Sequence, residues 1–152
     1  MKLKAHVISC GMAEGKALVT SQPISFLGSI DPKTGVVIEK GHELEGESIK
    51  EKVLVFPKGK GSTVGSYVIY QLKKNGTAPY AMINIKTEPI VAVGAIISDI
   101  PLVDQVEKNP IKVIRTGDKV LVDAVEGYVI MHFMCMMDTL QQKELLFRQD
   151  HS

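Results

Sequence analysis

Short apolar stretches separated by polar and glycine-rich segments dominate the chain, and this pattern predicts strands more often than helices. Most of the stretches alternate between apolar and polar side chains, whereas residues 53–56 are apolar throughout and predict a strand buried on both faces. The remaining predicted strands are residues 3–7, 16–20, 36–38 and 81–86, with a hairpin of 119–125 and 128–134 that turns at Glu126 and Gly127.

One amphipathic segment predicts a helix over residues 63–74. Val64, Val68 and Leu72 recur at every fourth position and predict its core-facing side. Gly76 follows the segment, where a left-handed residue commonly ends a helix.

The order of these elements predicts an α+β domain with a β-rich, barrel-like or open core and few helices. Residues 11–15 and 22–35 predict turns and a long loop. Residues 89–101 are too uniformly small and apolar for an assignment from periodicity. The chain has 152 residues and no internal repeat, so residues 1–152 are interpreted as a single domain, with fraying expected from about residue 149.

Charge and cysteine usage narrow the function classes. Lys+Arg is 18 and Asp+Glu is 17, which gives no basic field for nucleic-acid binding by bulk charge. No segment is long and apolar enough to predict a membrane span, and the start of the chain does not fit a signal peptide. Cys10 and Cys135 match no zinc or iron–sulfur spacing and no disulfide framework, so we expect a reducing, cytoplasmic environment and no metal on this chain.

The sequence PKGKGSTVGS at 57–66 joins the buried strand to the helix and has two interpretations. In the first, Ser62 or Thr63 is a helix N-cap and the glycines only allow a tight turn. In the second, Gly59, Gly61 and Gly65 clear the approach to unpaired N–H groups of the first helical turn, where an anion could bind.

The same loop partly matches two nucleotide-binding patterns. The Walker pattern fails, because Gly61 follows Lys60 where serine or threonine is required. A dinucleotide-binding arrangement, with Glu88 as the ribose-binding acid, stays open as an alternative. Against it, the third glycine comes one residue late and the neighbouring sequence does not predict repeated βαβ units.

Three further segments carry weaker signals. SFLGSID at 25–31 could line a pocket or be a surface turn. The polar loop 41–48 contains His42, which we interpret as a solvated histidine. The sulfur-rich segment 131–137 could bind a soft metal, although at strand spacing its side chains more readily pack a core or an interface.

Five ordered motifs together resemble the small subunit of aconitase X, its swivel domain. They are PISFLGSIDPKTG, GHELEGESI, VLVFPKGKGSTVGSYVIYQL, GTAPYAMI and EPIVAVGAIISDIPLVD. The resemblance implies an aconitase-like swivelling β/β/α domain. It also implies a hydro-lyase subunit that is active only with a large subunit, whose cysteines hold a [4Fe–4S] cluster that binds the leaving hydroxyl.

The resemblance also implies a reaction and a site. The implied reaction is dehydration of (R)-5-phosphomevalonate to trans-anhydromevalonate 5-phosphate in the mevalonate route to isoprenoids, with cis-3-hydroxy-L-proline as the alternative substrate. The family's proton-accepting serine falls on Ser62. The matching motifs add substrate contacts from their neighbours, which are Gly61, Thr63, Lys60, Gly28 and Ser29.

One departure limits the transfer of this site. Ordinary aconitases follow their serine pair with an arginine that grips a substrate carboxylate, whereas Val64 follows Ser62 and Thr63 here. The large subunit is therefore expected to grip that carboxylate. A non-catalytic role for this chain in assembly stays open from the sequence.

Overall fold

The computed structural model describes residues 1–132, whose strands form one eight-stranded sheet in the order β1-β8-β7-β3-β4-β5-β6-β2. The strands are β1 (Lys2–Lys4), β2 (His6–Ser9), β3 (Met12–Val19), β4 (Lys52–Phe56), β5 (Ala81–Asn84), β6 (Leu102–Asp104), β7 (Lys119–Asp123) and β8 (Tyr128–His132). The helical segments are α1 (Phe26–Ser29), α2 (Gly65–Lys74), α3 (Pro89–Ile97) and α4 (Pro110–Val113). Non-helical dihedral angles at Leu27 and Gly28 make α1 a tight turn rather than a regular helix.

The sheet closes on itself. Strands β1 and β2 occupy the two ends of the sheet order, yet only Ala5 separates them along the chain. The first strand pairs antiparallel with β8, where Leu3 lies opposite Val129, and the second pairs antiparallel with β6, where Val7 lies opposite Val103. The N-terminal segment therefore completes the barrel-like core that the strand pattern predicts.

The central strands β3, β4, β5 and β6 are parallel to one another. Helix α2 connects β4 to β5, and α3 connects β5 to β6, so this half consists of two successive βαβ units. The expectation that the sequence contains no repeated βαβ unit was wrong. Residues 89–101, which have no clear periodicity, form α3 and the segment that leads into β6. Loops that follow the four parallel strands share one edge of the sheet, where ligand sites of such sheets commonly lie.

Two apolar cores lie on opposite faces of the sheet. The inner core fills the barrel and includes Val53, Val55, Ile83, Val103, Val120, Val122 and Val129. The outer core lies beneath α2, α3 and the long connection between β3 and β4, and includes Ile24, Phe26, Leu54, Phe56, Ile69 and Leu72. Strand β4 contributes to both cores, as its uninterrupted apolar sequence predicts.

The predicted elements agree with this architecture except at a few positions. Helix α2 begins at Gly65 rather than at residue 63, and Val64, which was predicted to face the core, is exposed. The buried strand 53–56 and the hairpin 119–134 are confirmed as far as residue 132. Residues 11–15 are not a turn, because β3 begins at Met12, and residues 36–38 make only isolated bridges. Met131 packs in the inner core, while residues 133–137 of the sulfur-rich segment, Cys135 and the predicted frayed end lie outside the described residues.

Candidate functional site

The loop between β4 and α2 is held in place by a parallel bridge between Ile24 and Gly59. The N–H of Ile24 donates to the Lys58 carbonyl over 3.2 Å, and the N–H of Lys60 donates to the Ile24 carbonyl over 3.0 Å. Ile24 itself is buried in the outer core. The bridge therefore places the turn after Ile24 beside the glycine-rich loop, which brings together two segments that sequence analysis selected separately.

Close packing explains two of the glycines in this loop. A Cβ atom at Gly59 would overlap the Val91 side chain and lie 2.7 Å from Glu88 Oε1. Gly61 has a φ angle of +94°, and a Cβ there would lie 2.7 Å from Ser25 Oγ. The glycines thus serve the contact between loop and neighbouring segments, in addition to any access they give to a ligand.

Ser62 lies at an exposed point of the loop and its hydroxyl takes part in a local turn. Its Oγ accepts a hydrogen bond from the Val64 N–H over 3.2 Å, and its carbonyl accepts one from the Gly65 N–H over 2.9 Å. Helix α2 begins only at Gly65, after an N-cap residue, Val64, that makes no side-chain cap. The prediction that Ser62 or Thr63 caps the helix was therefore wrong, because the turn formed by Ser62 precedes the helix.

The unpaired backbone donors lie one turn earlier than expected. The N–H groups of Ser66 and Tyr67 donate to the carbonyls of Thr63 and Val64, so the first turn of α2 is not bare. Among the described residues, the N–H groups of Gly61, Ser62 and Thr63 make no hydrogen bond. These three successive free donors lie beside a helix N-terminus that has no acidic residue in its first turn, an arrangement that is favourable for a negative charge near this loop.

A carboxylate links two of the predicted substrate-binding residues. Glu39 Oε1 accepts a hydrogen bond from Ser29 Oγ over 2.9 Å and lies 3.9 Å from Lys60 Nζ. Ser29 is buried, whereas Gly28 lies exposed in the turn beside it. Sequence analysis missed Glu39, because no local pattern separates it from the other glutamates of residues 39–51.

His42 is buried, which contradicts the prediction of a solvated histidine. Its Nε2 donates to the Pro23 carbonyl over 3.2 Å, and its Nδ1 accepts from the Leu44 N–H over 3.0 Å. The Nε2 bond therefore fixes loop 41–48 against the segment that leads into Ile24, and the Nδ1 bond holds a turn within the loop. The polar sequence around His42 gave no sign that the loop folds back onto the core.

Glu88 is committed to capping α3. Its carboxylate accepts hydrogen bonds from the N–H groups of Ile90 and Val91 over 3.3 and 3.0 Å. The dinucleotide-binding alternative needs this carboxylate for a ribose, so the structure does not favour that alternative.

An open apolar groove of about 410 Å³ runs between α2 and α3, directly beside the Ser62 loop. Thr63 and Ser66 line its end near Ser62, and Tyr67, Ile90, Val93 and Ile97 line the rest. Tyr67 is 67% exposed and Val93 is 49% exposed, which leaves large apolar side chains in contact with solvent. Such a surface on an isolated chain is typical of a protein–protein contact.

Within residues 1–132, no group of three or more histidine, cysteine or acidic side chains is arranged to hold a metal ion. The Cys10 thiol is exposed. None of the helices in this part of the chain has the length and apolar character needed to cross a membrane.

Comparison with known proteins identifies the family. Residues 2–131 match the model of the aconitase X swivel domain. The chain belongs to the aconitase X swivel domain family. A crystal structure of Thermococcus kodakaraensis aconitase X in its holo form superposes with a TM-score of 0.83 at 53% identity, covering 88% of this chain and 99% of that one. The predicted aconitase-like swivelling domain is thereby confirmed.

Curated members of the aconitase X swivel family are similar over most of the chain. The phosphomevalonate dehydratase small subunit of Methanosarcina acetivorans is 66% identical over 129 residues, which cover 85% of this chain and 90% of that protein. The protein of the same name from Thermococcus kodakarensis is 57% identical over 129 residues, covering 85% of this chain and 95% of that protein.

Proposed function

We propose that this chain is the small subunit of a hydro-lyase that dehydrates (R)-5-phosphomevalonate to trans-anhydromevalonate 5-phosphate. The relatives' names support the reaction and the substrate. The observation that carries the role of this chain is the geometry of Ser62, an exposed hydroxyl on an anchored loop whose oxygen already receives a backbone N–H. We further propose a cytoplasmic location, which the exposed Cys10 thiol supports.

The proposed chemistry requires one proton acceptor from this chain. A C–H bond next to the substrate carboxylate breaks, its electron pair forms the C=C bond, and the C–O bond on the neighbouring carbon breaks to release hydroxide. The proton goes to Ser62 Oγ. A neutral serine hydroxyl is a poor base, so Ser62 must accept the proton as an alkoxide, which hydrogen bonds and nearby positive charge stabilise.

The loop contains groups suited to that task. The Val64 N–H already donates to Ser62 Oγ, and Gly61 and Thr63, the residues on either side of Ser62 along the chain, have free N–H groups. The Lys60 ammonium, two residues before Ser62, is proposed to bind an anionic group of the substrate. Gly28 is proposed to contact the substrate from the neighbouring turn, whereas the buried Ser29 contributes through its hydrogen bond to Glu39.

The described residues do not fit an iron–sulfur cluster, since they hold no cysteine cluster and no other metal-binding group of side chains. We propose that a [4Fe–4S] cluster lies on a large subunit, where it supplies Lewis-acid chemistry at the leaving hydroxyl. The large subunit must then cover the face that carries Ser62. The apolar groove supports this assembly, because its Thr63 end is continuous with the Ser62 loop. Since Val64 replaces the arginine of ordinary aconitases, the large subunit is also proposed to grip the substrate carboxylate.

An assay of the reconstituted complex tests the proposal. The chain is co-expressed with an aconitase X large subunit from the same source and assayed without oxygen on (R)-5-phosphomevalonate and on cis-3-hydroxy-L-proline. We expect dehydration of phosphomevalonate by the complex and by neither chain alone. Preference for hydroxyproline would contradict the substrate, and full activity of the large subunit alone would show that this chain serves only assembly.

A further inference from the structure

We propose that Glu39 is a positioning residue, whose carboxylate ties the turn at residues 25–29 to Lys60 and thereby holds the Lys60 ammonium beside the Ser62 loop. This inference rests on the function proposed above. It adds a residue that lies in none of the segments selected from the sequence as part of the site.

The contacts of Glu39 place it between two anchored segments. Its Oε1 accepts from Ser29 Oγ over 2.9 Å, and the backbone beside it is fixed because the Ile38 N–H donates to the Ser29 carbonyl over 2.7 Å. On the other side, Oε1 lies 3.9 Å from Lys60 Nζ, and the Lys60 N–H is bonded to Ile24. The Glu39 side chain is 32% exposed and the Lys60 side chain 49% exposed, so both groups of the pair reach solvent.

This arrangement addresses the flexibility of lysine. A free lysine side chain loses rotamer entropy when a ligand immobilises it. A carboxylate that already restricts the ammonium reduces that loss, so a substrate anion finds Lys60 oriented in advance. Because the Lys60 contact to an anion exists before and during the reaction, its loss should weaken substrate binding more than it slows the chemical step.

Charge and hydrogen bonding at Glu39 can be separated by substitution. Glu39→Gln keeps an oxygen that can accept from Ser29 Oγ but removes the negative charge facing Lys60. Glu47→Gln is the matched control, because Glu47 is an exposed glutamate of the neighbouring loop whose side chain makes no hydrogen bond or ion pair among the described residues. Lys60→Gln and the double variant Glu39→Gln/Lys60→Gln complete a double-mutant cycle.

Steady-state kinetics of the complex on phosphomevalonate give the first readout. We expect Glu39→Gln to raise KM about 2- to 5-fold, the scale of a partly exposed ion pair, with kcat and the Glu47→Gln control unchanged. Lys60→Gln should raise KM further, and the double variant should match Lys60→Gln alone. Multiplying effects in the double variant, or a KM equal to wild type in Glu39→Gln, would overturn the inference.

A second readout does not depend on activity. The isolated chain is treated briefly with acetic anhydride, and acetylation of Lys60 and Lys58 is compared by mass spectrometry. Glu39→Gln should raise the labelling of Lys60 about 1.5- to 5-fold and leave Lys58 unchanged. Unchanged Lys60 labelling would refute the contact. An inactive wild-type complex would instead refute the proposed function and the role of Glu39 in it. Failure of the Glu39 contact and failure of the proposed function therefore give different results.

Discussion

Gly61→Ala tests whether the Ser62 loop is shaped by packing as well as by its ligand. The φ angle of +94° makes any side chain unfavourable, at a cost of about 1–3 kcal/mol. The added Cβ would also lie 2.7 Å from Ser25 Oγ. Moving that hydroxyl breaks its hydrogen bond to the Leu27 carbonyl, 3.1 Å long, at a further cost of about 0.5–1.5 kcal/mol. The total is about 1.5–4.5 kcal/mol.

Thermal unfolding of the isolated chain measures this loss. A domain of this size loses about 2–4 °C of Tm per kcal/mol, so Gly61→Ala should lower Tm by roughly 3–18 °C. Gly46→Ala is the matched control, since Gly46 has a φ angle of +85° and its added Cβ would meet no atom within 4 Å. Gly46→Ala should show only the dihedral cost. In a Ser25→Ala background, where the Ser25–Leu27 hydrogen bond is already absent, Gly61→Ala should lower Tm no more than Gly46→Ala does. Equal losses of Tm for Gly61→Ala and Gly46→Ala in the wild-type background would refute the packing argument.

Three further predictions concern other parts of the molecule. The Asp104 carboxylate is 2% exposed and accepts hydrogen bonds from a backbone N–H and from the ring of the exposed His6. In urea unfolding, Asp104→Ala should lower the free energy of unfolding by about 1–3 kcal/mol and His6→Ala by clearly less, and equal losses would contradict this prediction. Val93→Asp in the groove should abolish co-purification with the large subunit without lowering Tm, whereas Val125→Asp on the hairpin should leave co-purification intact. Co-purification of both variants with the large subunit would argue against the groove as the interface. Hydrogen bonds, chiefly from a backbone N–H, hold the pKa of the exposed Glu43 carboxyl below its usual 4.5. The ionised carboxylate therefore slightly stabilises the fold above pH 4.5, and this contribution disappears as pH falls through the lowered pKa. A stability difference between wild type and Glu43→Gln that stayed constant with pH would contradict this prediction.

Elements whose signals are local could be predicted from the sequence. The apolar run 53–56 becomes β4 between the two cores, and the stop at Gly76 follows α2 as its sequence indicates. Helix α3 could not be predicted, because Val93, Ile96 and Ile97 are exposed although they are apolar. A helix that presents apolar side chains on its outer face shows no amphipathic period. In α3, some of these outer apolar side chains line the groove.

Ser62 could be selected from the sequence, whereas the residues that surround it could not. Ser62 was selected from a resemblance and from the glycine-rich loop, and the structure places it in an exposed, anchored turn. The contacts of Glu39 and His42 arise when the long connection between β3 and β4 folds back over the outer core. Such contacts join residues that are distant along the chain and leave no periodic pattern for sequence analysis to find.

Turnover of the assembled complex carrying Ser62→Ala tests the central claim most directly. The substitution removes the proposed proton acceptor, and because the Ser62 hydroxyl makes only a local bond to the Val64 N–H, the loss of stability should be about 1 kcal/mol, small against the 5–15 kcal/mol of an ordinary domain. Thr63→Ala is the matched control in the same turn. The account predicts a folded, assembled complex with its cluster intact and kcat reduced about 100-fold or more by Ser62→Ala, with Thr63→Ala affected far less. Near-normal turnover in Ser62→Ala would contradict the serine mechanism, and loss of turnover only in Thr63→Ala would show that the wrong hydroxyl was assigned.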